Sequence, residues 1–288
     1  MPDKTKNIVI VGGGAAGFFT AINIAELVKA QNILILEKDI RVLSKVKISG
    51  GGRCNVTNGC SDVMSLVKYY PRGSKELIGP LNSFGTTETI KWFEERGVKL
   101  KTESDGRVFP VSDKSQTIID CFVNLAKENN IRIHTSKHIS SIGISDEKKF
   151  IVSTKGNEKF EADKLIVTTG SNNTIWSELQ NLGHKIIEPV PSLFTFNIDD
   201  EVLKELPGVA VENIHLQIDE TKFKSNGPLL ITHWGLSGPA VLSLSAFAAR
   251  DLNKMDYNFQ LQVDWLPSNN NKKIETELKE IIASGRNK

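Results

Sequence analysis

Gly12, Gly14 and Gly17 stand at the spacing G-x-G-x-x-G, and Glu37 follows twenty residues after the last of them. Those residue types at those distances suit one chemistry, the holding of a dinucleotide. Gly12 lets the chain turn sharply off a strand. Gly14 has no side chain, so the backbone can approach a pyrophosphate there. Gly17 lets a helix pack closely on a sheet. Ala15 and Ala16 fall in the first helical turn, whose unpaired amides and partial positive charge favour phosphate. Glu37 is placed to accept hydrogen bonds from a ribose diol, with Lys38 beside it. The motif by itself fits FAD and NAD(P) alike. An ordinary βαβ unit that uses its glycines only for packing would carry the same pattern.

The flanking elements are those the motif requires. Residues 8–11 are a continuous apolar run, as expected of a strand buried on both faces. Phe18, Ile22, Ala25 and Val28 recur at helical spacing and predict a core-facing stripe. Residues 32–36 form a second apolar strand that ends at Glu37.

A second cluster reads Ser49-Gly-Gly-Gly-Arg-Cys-Asn-Val-Thr-Asn58. Three consecutive glycines do not stabilise a helix or strand interior, but their amides can line a concave surface. Gly51 and Gly52 beside Arg53, Cys54 and Asn55 favour a second cofactor contact over a plain surface loop. Arg53 could neutralise a phosphate or ion-pair locally. Five residues separate Cys54 from Cys60, one more than in the redox pair of flavin disulfide reductases, so a redox couple is not expected.

Further along, residues 74–85 and 86–96 read as helices, and residues 106–115 as a loop. A helix follows to about residue 129, with Ile118, Ile119, Phe122, Val123 and Ala126 as its inner face and Ser112 or Asp113 as its N-cap. Residues 139–144, 149–154 and 159–162 read as a β-meander. An apolar strand over 165–167 then ends in Thr168-Thr169-Gly170. A meander followed by a return strand is the layout of an FAD-type nucleotide fold, in which Thr169 and Gly170 run beside the pyrophosphate; taken alone, Thr169-Gly170 reads as a strand-to-loop exit with no ligand. Pro189 and Pro191 mark a boundary. Beyond it, strands at 193–198, 210–218 and 257–263 suggest a mostly antiparallel second domain. Within that domain His233-Trp234 precedes Ser237 and Pro239, a natural N-cap and first helical residue. His233 is weighed evenly between facing a ligand and a structural role. Residues 272–284 read as a last amphipathic helix.

Composition bounds the partners. The chain has 288 residues, 39% hydrophobic and 24% charged, with 36 basic against 34 acidic side chains for a net charge of +2. That balance gives no electrostatic case for nucleic acid or an anionic membrane as main partner. No apolar run is long enough to span a bilayer. The polar start gives no signal peptide. The three cysteines form neither a disulfide framework nor a zinc spacing, so no metal is expected. A cytoplasmic enzyme with a small-molecule substrate is the simplest class.

Five segments together resemble the BaiN / aminoacetone-oxidase-like (RsdA-like) family of FAD-dependent oxidoreductases. They are residues 11–17, residues 49–58, Gly106-Arg-Val-Phe-Pro-Val-Ser-Asp113, Leu182-Gly-His184 and Thr232-His-Trp-Gly-Leu-Ser-Gly-Pro239. The resemblance implies an α/β fold. Residues 1–190 would form an FAD/NAD(P)-binding Rossmann-like (three-layer ββα) domain, and residues 191–288 an inserted, mostly antiparallel β domain. FAD is the implied cofactor and NAD(P)H the candidate reductant. Gly51 through Asn55 would approach the pyrophosphate–ribityl–flavin side, the backbone at Ile139 would touch the adenine, and substrate would enter between the domains near His233. The family's return to the FAD domain has no counterpart after Trp265. This implies a truncated inserted domain and weak or absent FAD binding by the 288-residue form. Reduction of activated C=C bonds in steroid-like 3-oxo bile acids and oxidation of small amino ketones are both open, as is a non-catalytic flavoprotein remnant.

Overall fold

In the computed structural model the described residues are 5–28 and 32–267, with 275–276, 279–280 and 283. They fall into two compact units, Met1–Ile187 and Glu188–Lys288.

The first unit is built on alternation. In β1 (Asn7–Val11) and β2 (Asn32–Leu36) successive side chains point to opposite faces of a parallel sheet. Ile8, Ile10, Ile33 and Ile35 enter one core with Phe18 and Ile22 of helix α1 (Ala15–Leu27). Val9, Val11, Leu34 and Leu36 enter another with Val152 and Ala162 of the meander. The sheet runs Lys164–Val167, β1, β2, Arg132–His134, all parallel. The meander is Ile139–Ile144, Phe150–Thr154 and Lys159–Ala162. Helices, parallel sheet and meander give the three-layer Rossmann-like arrangement expected.

Local expectations differ in places. The stripe on α1 stops short of Val28, which is 49% exposed because the helix has already ended at Leu27. Residues 107–110 are a strand rather than loop. Arg107–Pro110 pairs with both Thr57–Asn58 and Leu100–Thr102, which buries Val108 and Phe109. The helix Ser115–Glu128 has Lys114 at its N-cap without a side-chain cap, while Ser112 Oγ meets Thr117 Oγ1 instead. Cys121 is buried on its inner face, whereas Val123 is exposed.

The second unit holds a five-stranded antiparallel sheet. Its order is Phe196–Asn197, Gly235–Ser237, Lys224–Thr232, Ala210–Ile218, Leu261–Asp264. Helix Pro239–Lys254 lays Val241, Leu244, Ala248 and Leu252 on Ile214, Leu216, Leu229 and Leu236. Its N-cap is Gly238, not Ser237, which belongs to the preceding strand. The helix expected over 272–284 lies largely outside the described residues.

Candidate dinucleotide-binding site

The three motif glycines divide by what surrounds them. Gly12 has φ +113°, and a Cβ there would stand 2.5 Å from the Thr168 carbonyl oxygen. A Cβ on Gly17 would stand 2.0 Å from the Gly12 carbonyl oxygen. Both are packing glycines, closing strand, turn and helix onto one another. At Gly14 nothing lies within 4 Å of the added carbon. Gly14 is the N-cap of α1 and offers no side-chain cap, so the first amides of a 13-residue helix are left for an acceptor outside the chain.

Glu37 closes the turn from the other side. Its Oε2 accepts from the Gly13 amide at 2.6 Å and its Oε1 from the Asp39 amide at 2.9 Å. The residue is 8% exposed, so the carboxylate is fixed in direction, and each oxygen keeps a lone pair for a further donor. The Thr168 hydroxyl donates to the Val11 and Gly12 carbonyls at 3.1 and 2.9 Å, tying the return strand to the turn.

Two adjoining cavities, about 480 and 470 Å³, share Gly12, Glu37, Lys38, Asp39 and Thr169. One continues past His138, Ile139 and Lys155. The other passes over Gly14, Ala15, Ala16, Lys45 and Gly170. The cleft thus joins the expected Gly12, Gly14, Ala15, Ala16, Glu37, Lys38, Ile139, Thr169 and Gly170, with Gly17 packed behind it. The open space at Gly14, the uncapped helix and the anchored carboxylate fit a dinucleotide such as FAD.

A third cavity, about 490 Å³, is a largely apolar chamber walled by Phe19, Phe84, Phe93, Ile118 and Phe122, with Cys54 and Asn55 at its side. Its residues in common with the cleft are Ala15, Ala16, Lys45 and Val46. The glycine cluster leads to it. Gly50, Gly51 and Gly52 have φ of 56°, 67° and 85°, and the non-glycine Cys54 has 63°. This tight coil brings the Cys54 amide to the Ser49 carbonyl at 3.0 Å. Burial pushes the Cys54 thiol above its ordinary value, partly offset by a hydrogen bond with Ser49.

Gly51, Gly52 and Arg53 line neither the cleft nor the chamber. Arg53 takes the local alternative. Its Nη1 lies 2.6 Å from Glu103 and 3.5 Å from Asp113, and the guanidinium stacks 3.9 Å from the Phe109 ring centre. The Glu103 hydrogen bond holds its pKa above the ordinary arginine value. Cys54 and Cys60 are both free thiols, and Cys60 donates to the Asp62 carbonyl at 3.4 Å. His233 belongs to the second unit, exposed in the two-residue turn between Thr232 and Gly235.

Asp39, His138, Lys155 and Lys45 line the cleft without having been singled out in the sequence. Lys45 had a usable signal, since it lies between two stretches both assigned to the cofactor. Among the described residues no group of three His, Cys, Asp or Glu could hold a metal, and no helix is long and apolar enough to cross a membrane.

The family model for the HI0933-like protein Rossmann domain matches residues 6–241. Over 272 residues the chain is 26% identical to a 3-dehydro-bile acid delta(4,6)-reductase of Clostridium scindens, covering 91% of this chain and 65% of that one. It is 28% identical over 250 residues to a ribosomal RNA dihydrouridine synthase of Escherichia coli, covering 83% of this chain and 60% of that one. A ribosomal RNA dihydrouridine synthase of Haemophilus influenzae is 25% identical over 296 residues, covering 99% of this chain and 69% of that one. The chain therefore spans between 60% and 69% of the length of these curated relatives.

Proposed function

The chain belongs to the HI0933-like Rossmann family, and from that premise we propose that it is a flavin-dependent oxidoreductase that reduces a C=C bond conjugated to a carbonyl group. The observation that carries the cofactor half is the cleft itself, where open Gly14, the uncapped start of α1 and anchored Glu37 lie along one groove. In this reading Gly12 through Ala16 hold the diphosphate, Glu37 binds the adenosine ribose, and the backbone at Ile139 borders the adenine. FAD, when bound, supplies a two-electron relay between a hydride donor and an acceptor.

The acceptor half rests on what two relatives' names have in common. A delta(4,6)-reductase of 3-oxo steroids and a synthase of dihydrouridine both saturate a carbonyl-conjugated double bond. The net reaction is NAD(P)H plus a proton plus the unsaturated carbonyl compound, giving NAD(P)⁺ and the saturated product. Hydride goes to the carbon β to the carbonyl and the proton to the α carbon. The apolar chamber with its four phenylalanines supports a ring-shaped, poorly charged ligand beside the cleft. The near-neutral charge favours a small molecule over RNA. A second reading, a uracil base within RNA, is favoured by the two dihydrouridine synthase names. His233 is the candidate substrate-facing group in either case.

The test is anaerobic turnover of the FAD-loaded chain with NADPH and with NADH, offered a 3-oxo-4-ene steroid or unmodified ribosomal RNA. Loss of enone absorbance supports the small-molecule reading, and dihydrouridine in the RNA supports the second. Reduction of neither acceptor, with FAD bound and reducible by the donor, contradicts the proposed reaction.

A further inference from the structure

The dinucleotide reading leaves the neutralising cation unassigned, and, resting on that reading, we propose that Lys45 pairs with the ligand's diphosphate while Arg53 does not. Arg53 is consumed by Glu103, Asp113 and Phe109. Lys45 stands in the short helix Ser44–Ile48. Of the described cations it alone lines both the cleft and the apolar chamber.

Its companions in that common wall are Ala15, Ala16 and Val46, so Lys45 is the charged member of a wall otherwise made by the first turn of α1 and one valine. A diphosphate drawn to the uncapped amides of that turn is brought to the side of the cleft that Lys45 occupies. The ammonium also reaches the return strand's exit, with Nζ 3.8 Å from where a Cβ on Gly170 would stand.

Two other lysines are engaged within the chain. Lys47 Nζ donates to Gln116 Oε1 at 2.8 Å, and Lys137 is held by Glu158 at 2.6 Å. The Lys45 ammonium has no hydrogen-bond or ion-pair partner among the described residues. Lys38, Arg41 and Lys155 line the cleft as well and their charged groups have no partner among the described residues either, but none of them lines the chamber side of the α1 terminus. An exposed lysine held for no partner of its own chain, at the one wall where cleft and chamber meet, is placed for an anionic ligand.

The test is calorimetric titration of the intact chain with ADP and with adenosine, for wild type, Lys45→Met, Lys45→Arg and Lys47→Met. Loss of a charge-assisted contact to phosphate weakens ADP binding in Lys45→Met by about tenfold to a hundredfold. Adenosine binding is unchanged, Lys45→Arg recovers part of the loss, and Lys47→Met binds ADP like wild type. The dependence of ADP affinity on salt also becomes shallower in Lys45→Met. ADP affinity in Lys45→Met within about twofold of wild type overturns the assignment, as does an equal loss for adenosine. Failure of wild type to bind ADP at all contradicts the dinucleotide reading itself, and is separate from either result.

Discussion

The amide of Gly13 donates to the Glu37 carboxylate at 2.6 Å, across 24 residues of chain. The contact joins the turn after β1 to the end of β2, and both residues line the cleft. Replacing Glu37 by alanine strands the buried Gly13 amide, while the amide of exposed Asp39 can turn to water. A buried amide left without an acceptor costs about 1–3 kcal/mol. Glu37→Ala is therefore expected to lose stability of that order in urea unfolding and to bind ADP more weakly. Glu37→Gln keeps one acceptor oxygen and falls between Glu37→Ala and wild type on both measurements.

The glycines of the motif make opposite predictions. An alanine at Gly17 would drive its Cβ to 2.0 Å from the Gly12 carbonyl, which nothing nearby can relieve without moving backbone. Overpacking of that kind costs about 1–3 kcal/mol or more, and Gly17→Ala should show a clear drop in its urea midpoint. Gly14→Ala meets open space and should unfold within about 1 kcal/mol of wild type. Its effect should instead appear as weaker ADP binding. Equal destabilisation by both changes would contradict the division.

What was legible in the sequence follows from local physics. The two-face alternation of β1 and β2 and the 3.6-residue period of α1 are carried by neighbouring residues, so the parallel core and its glycine turn could be read directly. The strand at Arg107–Pro110 could not. Gly106 and Pro110 look like loop punctuation, and the strand shows only in its pairing, with nearby Leu100–Thr102 on one side and with Thr57–Asn58, some fifty residues away, on the other. Arg53 was ambiguous for the same reason, since Glu103 and Asp113 come from distant segments. Gly238 in place of Ser237 as N-cap reflects a strand that runs further than its polar residues suggest.

The Arg53 network predicts a pH dependence of stability. Asp113 is held below the ordinary carboxylate range by the Lys101 hydrogen bond first, with Arg53 adding to it. A depressed folded pKa stabilises the fold above the unfolded value of about 3.9, and that contribution is lost as pH falls through the lower folded value. Asp113→Asn should lower the urea midpoint at neutral pH. The gap to wild type should close below about pH 4. A gap that is constant with pH would contradict the assignment.

The thiols should react unequally. Burial raises Cys54 and pushes Cys121 up to about 11, while Cys60 is only partly covered. Near neutral pH a thiol reagent should label Cys60 first, with Cys54 and Cys121 reacting only as the chain unfolds. Cys60→Ser should remove the fast phase. Persistence of that phase would place the reactive thiol elsewhere.

On the proposed reading, a dinucleotide diphosphate sits in the cleft over Gly14, between the α1 terminus and Glu37. The decisive measurement is titration of ADP into the intact wild-type chain beside Gly14→Val. Wild type is expected to bind ADP saturably and one to one, and the variant to lose that binding while unfolding like wild type. No saturable ADP binding by wild type, or equal binding by Gly14→Val, would contradict that reading.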